Sequence, residues 1–255
     1  MRDGLLRLLG AACVLLVWEA AGRSGVFLDG YLPPPSEVLP RVVALLGDGG
    51  FLLGVVATVL SWAIGLLIAV AIGVPLGLLL GSSATARAAS RSVVEFLRPI
   101  PTVAMVPLAV VAVGGGPGTK IGLTAFAALW PVLFATTYAF EEVEPLLVET
   151  ARSFGLGRAA VLARVALPSV APFVLTGLRL SAAIGLSVLI GVEMLTGTSG
   201  GIGEFILVAA SGVTRMDQVL AGVVVAGLLG YLINEGLERA QRRWLGWGAR
   251  EVRPR

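Results

Sequence analysis

Residues 51–80 carry no charged side chain. As a helix rising about 1.5 Å per residue, thirty residues reach past the ~30 Å hydrocarbon core of a bilayer. Lipid offers a backbone no hydrogen-bond partners, so a run of this length crosses as a helix whose N–H and C=O groups satisfy one another. The rest of the chain repeats the theme. Residues 121–140 also lack charge, and residues 169–194 and 218–237 are apolar apart from Arg179, Glu193 and, near the end of the second run, Asn234 and Glu235. Only 14% of the chain is charged, against about 25% in a soluble domain. The expected class is an all-α polytopic membrane protein.

Two further segments bring the expected count to six transmembrane helices. Residues 5–21 follow the basic Arg2 and contain Arg7, Trp18 and Glu19. They read as a retained first helix rather than a cleaved leader, because Glu19 sits badly at a cleavage site and Trp18 suits a bilayer interface. Residues 93–113 form the third span. It opens with Glu95 and Arg98 and then meets Pro99, Pro101 and Pro107. Prolines free backbone carbonyls inside a helix, so this span is expected to be kinked or interrupted. Such breaks survive in a membrane where protein or a water-filled cavity satisfies the backbone. That makes Arg98, Pro99, Pro101, Thr102 and Met105 candidates for a translocation path or gate. Arg179 and Glu193 join them as ionisable residues inside spans.

The intervals between spans differ in charge. Residues 22–50 are polar; the run Leu32-Pro33-Pro34-Pro35 is extended, and Ser36 is expected to cap a short helix from Glu37 to Leu46. Residues 81–92 read as a short basic connector with Arg87 and Arg91. Residues 114–120 have a superficial likeness to a phosphate loop, but Thr119 precedes Lys120, Ile121 follows it, and no strand comes before. Nucleotide binding by this chain is excluded on that ground. Within 51–80, Gly73, Gly77 and Gly81 recur every four residues, the spacing that lets helices touch in lipid.

The chain has no histidine and one cysteine, Cys13. The usual general base, histidine-based catalytic triads and cysteine metal clusters are thereby removed. No catalytic residue, metal site or cofactor is expected, and no nucleic-acid partner. The basic residues fall mostly in intervals that share one side if six spans alternate. Arg2, Arg7, Arg87, Arg91, Arg152, Arg158, Arg164 and the arginines of the tail lie on that side, against Arg23, Arg41, Lys120 and Arg215 on the other. Positive charge marks the cytoplasmic face, so both termini are expected inside.

The longest cytoplasmic interval, 141–168, holds the most specific pattern. It reads Glu149-Thr150-Ala151, three residues, Gly155, nine residues, Val165, one residue, Leu167-Pro168. Turn glycines and apolar residues among Arg152, Arg158 and Arg164 suggest two short helices with an outward apolar side, including Phe154 and Leu156. The spacing resembles the EAA loop of permease subunits of ABC importers, with Thr150 in place of the first Ala and Val165 in place of Ile. The likeness extends over about residues 31–247. Leu32-Pro33-Pro34-Pro35-Ser36, the 97–108 run, Thr176-Gly177-Leu178-Arg179, Glu193-Met194-Leu195 with Gly201-Ile202-Gly203, Gly227-Leu228-Leu229-Gly230 and Arg242-Arg243-Trp244 resemble the nitrate/sulfonate/taurine branch. The 114–120 connector departs from that branch, which often has an aromatic-Gly pair and a longer acidic turn.

The resemblance implies a type I ABC importer permease fold in a bacterial inner membrane. Residues 1–50 would hold the first helix and an extracytoplasmic connector, 51–240 the transmembrane core, and 241–255 a basic cytoplasmic tail. It implies a homodimer, two ATPase subunits docked on Glu149, Thr150, Ala151, Arg152, Phe154, Gly155, Leu156, Arg158, Leu167 and Pro168, and an extracytoplasmic solute-binding protein. The solute would be a small anion of the aliphatic sulfonate, taurine or nitrate class, with a thiamine-precursor pyrimidine or similar small organic molecule as the alternative. An ion-coupled secondary transporter is the rival of another class. It would favour histidine or acidic relays at mid-membrane and inverted repeats, which the sequence does not display.

Overall fold

The computed structural model describes residues 2–26, 30–140, 142–197, 200–212 and 215–244. The described residues contain helices and no strand. In order these are α1 (Arg2–Arg23), α2 (Pro35–Leu46), α3 (Gly49–Ser82), α4 (Ala84–Leu97), a 3₁₀ turn (Thr102–Met105), α5 (Val106–Val113), α6 (Pro117–Ala139), α7 (Pro145–Ser153), α8 (Arg158–Val161), a π-helical turn (Leu162–Ala166), α9 (Leu167–Thr196), α10 (Ile202–Ala210) and α11 (Met216–Trp244). Four helices are long and apolar enough to cross a membrane, and the pair Ala84–Leu97 and Thr102–Val113, bent by 72°, makes a fifth if it is one span. The expected six are reached only with α1, whose 22 residues include the exposed Leu9, Val14, Leu16 and Val17.

The chain divides into two compact units. The first comprises Met1–Val59 and Ile190–Leu229. Its core joins Val38, Val42 and Leu45 of α2 to Phe51, Ala221 and Val225, with Trp18 and Phe205 packed alongside. Ser36 is not the cap of α2. The helix begins one residue earlier, at Pro35, where a missing N–H costs nothing. Glu19 of α1 supplies the cap instead: its carboxylate accepts from the Ser36 backbone N–H at 3.1 Å and from the Ser36 hydroxyl at 2.9 Å.

The second unit comprises Leu60–Leu189 and Gly230–Arg255. The glycine stripe of α3 lies on α6. A Cβ placed on Gly65 would stand 2.8 Å from Thr124, on Gly73 2.7 Å from Val132, on Gly77 2.5 Å from Thr136 and on Gly81 2.5 Å from Phe140. Contacts this close exist because glycine has no Cβ. The buried Thr124, Thr136 and Thr137 hydroxyls donate to the carbonyls four residues earlier, so no polar group is stranded at the seam.

Both sets of residue numbers rise together, so α3 and α6 run parallel. The chain from 83 to 116 must therefore return across the unit, and the bent pair is a broken span rather than a loop that dips in and out on one side. Gly177 of α9 meets Pro131 and Ala135, whereas Gly185 meets Thr124 and Ala128, so α9 runs antiparallel to α6. Arg179 reaches Glu238 and Gly230 approaches Leu186, so α11 runs antiparallel to α9. Within this unit the α3–α4 turn, the α6–α9 interval and the end of α11 share one end.

The expectation of a simple basic connector at 81–92 is corrected. Most of it is helical, as the start of α4, with the Ser83 hydroxyl accepting from the Ala86 N–H at 3.2 Å. Four alanines in the first six residues favour that helix.

Candidate functional site

The interval between α6 and α9 folds as a helical hairpin. Pro145 at the first position starts α7, where its absent N–H is tolerated. The helix ends in a Schellman turn: the Gly155 N–H donates to Arg152 O at 2.8 Å, and the Leu156 N–H donates to Ala151 O at 3.2 Å. Gly155 holds φ at +81°, a conformation that L side chains resist. Ala151 is buried under this turn, whereas Glu149, Thr150 and Arg152 are exposed. Phe154, at the tip, is 81% exposed. The Glu149 carboxylate and the Arg152 guanidinium have no hydrogen bond or ion pair within the described residues. The side chain of Arg158 lies outside what the structure describes, as do residues 245–255 of the basic tail.

The hairpin is joined stiffly to the next span. From Ala159 the helix is continuous to Thr196. The one irregularity is the π-helical turn, closed by the Leu167 N–H donating to Leu162 O. Pro168 accounts for it: the ring has no N–H for the carbonyl of Arg164 and would clash with it, so the preceding turn widens. α7 packs back against this turn. Leu167 is exposed and Pro168 half-buried.

The broken third span forms the second candidate site. The α4 bonding ends with the Arg98 N–H on Val94 O, and regular bonding resumes with the Ala104 N–H on Pro101 O. Pro99 and Pro101 supply no donors in the gap. Beside it lies a cavity of about 630 Å³, lined among others by Arg98, Pro101, Thr102, Trp130, Phe134 and Thr176. Pro99 and Met105 do not line it. The Arg98 guanidinium carbon lies over the Phe134 ring, 4.6 Å from its centroid.

Arg179 and Glu193 are engaged elsewhere. Arg179 donates to Glu238 at 2.9 Å and to the Asn234 side-chain oxygen at 3.2 Å, so it ties α9 to α11. Glu193 is completely buried. Its carboxylate accepts from the Thr58 hydroxyl at 3.0 Å and from the Gly203 N–H at 3.1 Å, while Thr58 Oγ1 accepts from the Ile202 N–H at 3.0 Å. Together Thr58 and Glu193 cap the N-terminus of α10, where negative charge is favoured. The glycines of the Gly201-Ile202-Gly203 run follow from this. A Cβ on Gly201 would stand 2.3 Å from the Glu193 carboxylate, and one on Gly203 2.3 Å from Ile190 O.

Residues 73–243 match the family described as the binding-protein-dependent transport system inner membrane component. The chain belongs to this family of transport permeases. It is 33% identical over 245 residues to the taurine transport system permease protein TauC of Escherichia coli (strain K12), covering 94% of this chain and 88% of that one. It is 30% identical over 236 residues to the putative aliphatic sulfonates transport permease protein SsuC of the same organism, covering 92% and 88%. The nitrate import permease protein NrtB of Leptolyngbya laminosa is 29% identical over 187 residues, covering 73% and 66%. In backbone, the permease resembles an inward facing conformation of the MetNI methionine ABC transporter, with a TM-score of 0.63 and 21% identity over 75% of this chain and 94% of that one. The fold is the type I importer permease fold, and the chain is a transport subunit, not an enzyme.

Among the buried polar residues that sequence reasoning misses are Thr58 and Lys120. Thr58, in an uncharged span, carries no outward sign of its role. Lys120, read as the end of a tight connector, is 1% exposed near the start of α6. A lone lysine beside a helix start reads as interfacial, and only tertiary packing shows that it is covered.

Proposed function

We propose that this permease is the membrane subunit of an ATP-driven importer and that the hairpin at 145–161 is the seat of its ATPase. The observation that carries this reading is Phe154, 81% exposed on a glycine-fixed turn whose helix also bears a carboxylate and a guanidinium with no partner among the described residues. An exposed aromatic ringed by charge is the composition of an interface anchor. Glu149, Thr150, Arg152 and Leu156 form its rim, and the sequence pattern assigns Arg158 to the same contact. Leu167 and Pro168 set the junction through which α8 moves α9 as one piece. ATP binding by the partners then biases the span between two states, as any coupling requires.

The alternation of α3, the broken span, α6, α9 and α11 supports a cytoplasmic hairpin and C-terminus, because the basic Arg87, Arg91, Arg152 and Arg164 then lie on the positive side. With α1 as a further span the N-terminus is cytoplasmic too, and residues 1–50, 51–240 and 241–255 divide as first helix with connector, transmembrane core and basic tail. Two ATPase subunits, a second permease copy and an extracytoplasmic solute-binding protein complete the importer in a bacterial inner membrane. The names of TauC, SsuC and NrtB support a small oxyanion-bearing solute: a sulfonate, taurine or nitrate.

Uptake by proteoliposomes holding the permease, its ATPase and its binding protein tests the reading. Labelled taurine, ethanesulfonate or nitrate is expected to enter only with ATP on the hairpin side, and an ionophore that collapses ion gradients is expected to leave the rate unchanged. Uptake that continues without ATP and stops with the ionophore contradicts the reading and supports a secondary transporter.

A further inference from the structure

We propose that Arg98 makes the cavity beside the broken span an anion-selecting station within the permease itself, separate from any selection by the binding protein. The inference rests on the reading of the chain as a solute-importing permease.

Among the described residues, several arginines of the same unit are paired with carboxylates, whereas Arg152 on the hairpin and Arg98 in the broken span are not. Arg91 has Glu95 at 2.8 Å, Arg179 has Glu238 at 2.9 Å, and Arg239 has Glu235 at 2.9 Å. The Arg98 guanidinium has no ion pair with a carboxylate and no hydrogen bond among the described residues. Its neighbour is the face of Phe134. A cation held over a ring face uses none of its N–H donors on a hydrogen-bond acceptor, so the guanidinium donors stay uncommitted among the described residues. Those donors match the paired oxygens of a sulfonate or nitrate.

The rest of the lining agrees with that occupant. Among the described residues no acid lines the cavity and Arg98 is the one charged side chain. The Trp130 ring forms part of the wall, with its indole N–H buried and unbonded among the described residues. The Thr176 hydroxyl is already donated to Pro172 O, whereas that of Thr102 has no partner among the described residues. The Arg98 guanidinium and the Thr102 hydroxyl are donors without an acceptor among the described residues, and an anion supplies one. A volume of about 630 Å³ suits a small organic solute. A neighbouring cavity of about 480 Å³ shares Arg98 and Phe134 and adds Arg87, Arg91 and the single acid Glu95.

The test uses the full-length permease in phosphatidylcholine nanodiscs, titrated with methanesulfonate, nitrate, neutral dimethyl sulfone and methylammonium while tryptophan fluorescence is read. Methanesulfonate and nitrate are expected to bind, with dimethyl sulfone and methylammonium weaker by about tenfold or more, the equivalent of one charge-assisted hydrogen bond. Arg98→Gln is expected to weaken methanesulfonate by a similar factor, Arg98→Lys to restore most of it, and Phe134→Leu, which frees the guanidinium, to lie between. Equal affinity in wild type and Arg98→Gln overturns the inference, as does equal affinity for methylammonium. Loss of methanesulfonate binding when phosphatidylglycerol replaces part of the lipid also overturns it, because a lipid headgroup is then the occupant. Failure of the wild-type transporter to import with ATP counts against the importer reading and leaves the anion titration to stand or fall by itself.

Discussion

Gly155→Val leaves the permease folded in the membrane but cuts ATP-driven uptake by about five- to 150-fold, the range set by a 1–3 kcal/mol penalty on one coupled element. The penalty is conformational, not steric. A Cβ on Gly155 would meet nothing within 4 Å, but the backbone there holds φ at +81°. A β-branched residue escapes that strain by opening the Schellman turn, which turns Phe154 away and detaches α7 from the π-helical turn. The cause makes the effect graded. Asn tolerates positive φ and is expected to retain most of the uptake, with Ala between Asn and Val. The measurement is uptake beside ATPase copurification for the four proteins. An Asn variant as impaired as Val would show that the absence of a side chain, and not the turn, is what matters at 155.

Glu193→Ala is expected to destabilise the permease by about 3–5 kcal/mol, because it strands buried donors in an apolar setting. Gly203 N–H and the Thr58 hydroxyl lose their acceptor together, and α10 loses the negative group at its N-terminus. In detergent this should lower the unfolding midpoint by on the order of 10 °C. Glu193→Gln keeps one acceptor oxygen and is expected to recover more than half of the loss. An alanine variant that melts with wild type would remove Glu193 from the framework and return it to the candidate path residues.

The parts of this molecule that were legible in sequence are those whose requirements are local. Gly155 marks a turn because positive φ is a demand on one residue, and Pro99 with Pro101 mark a break because each removes a donor in place. The Gly73, Gly77 and Gly81 stripe announces a close helix contact. It does not announce that α6 is the partner or that the two run parallel, since both facts depend on packing over distant sequence. The cap of α2 was misread for the same reason. Ser36 has the right chemistry, but Glu19, seventeen residues earlier, reaches it and leaves Pro34 and Pro35 to start the helix. The helix in 81–92 had a readable signal, Ser83 ahead of an alanine-rich run, that its polar composition obscured. Pro168 was legible as a motif position, whereas the π-helical turn it imposes is a consequence of ring geometry that no residue count displays.

Phe154→Cys in a Cys13→Ser background gives a permease with one thiol, because Cys13 is the only cysteine of the chain. In inside-out vesicles this thiol should react with a membrane-impermeant maleimide, be protected when the ATPase is bound, and form a disulfide-length cross-link to a cysteine in the ATPase cleft. Labelling from the outer face of intact cells, or reactivity unchanged by saturating ATPase, would contradict the assignment of the hairpin as the seat of the motor.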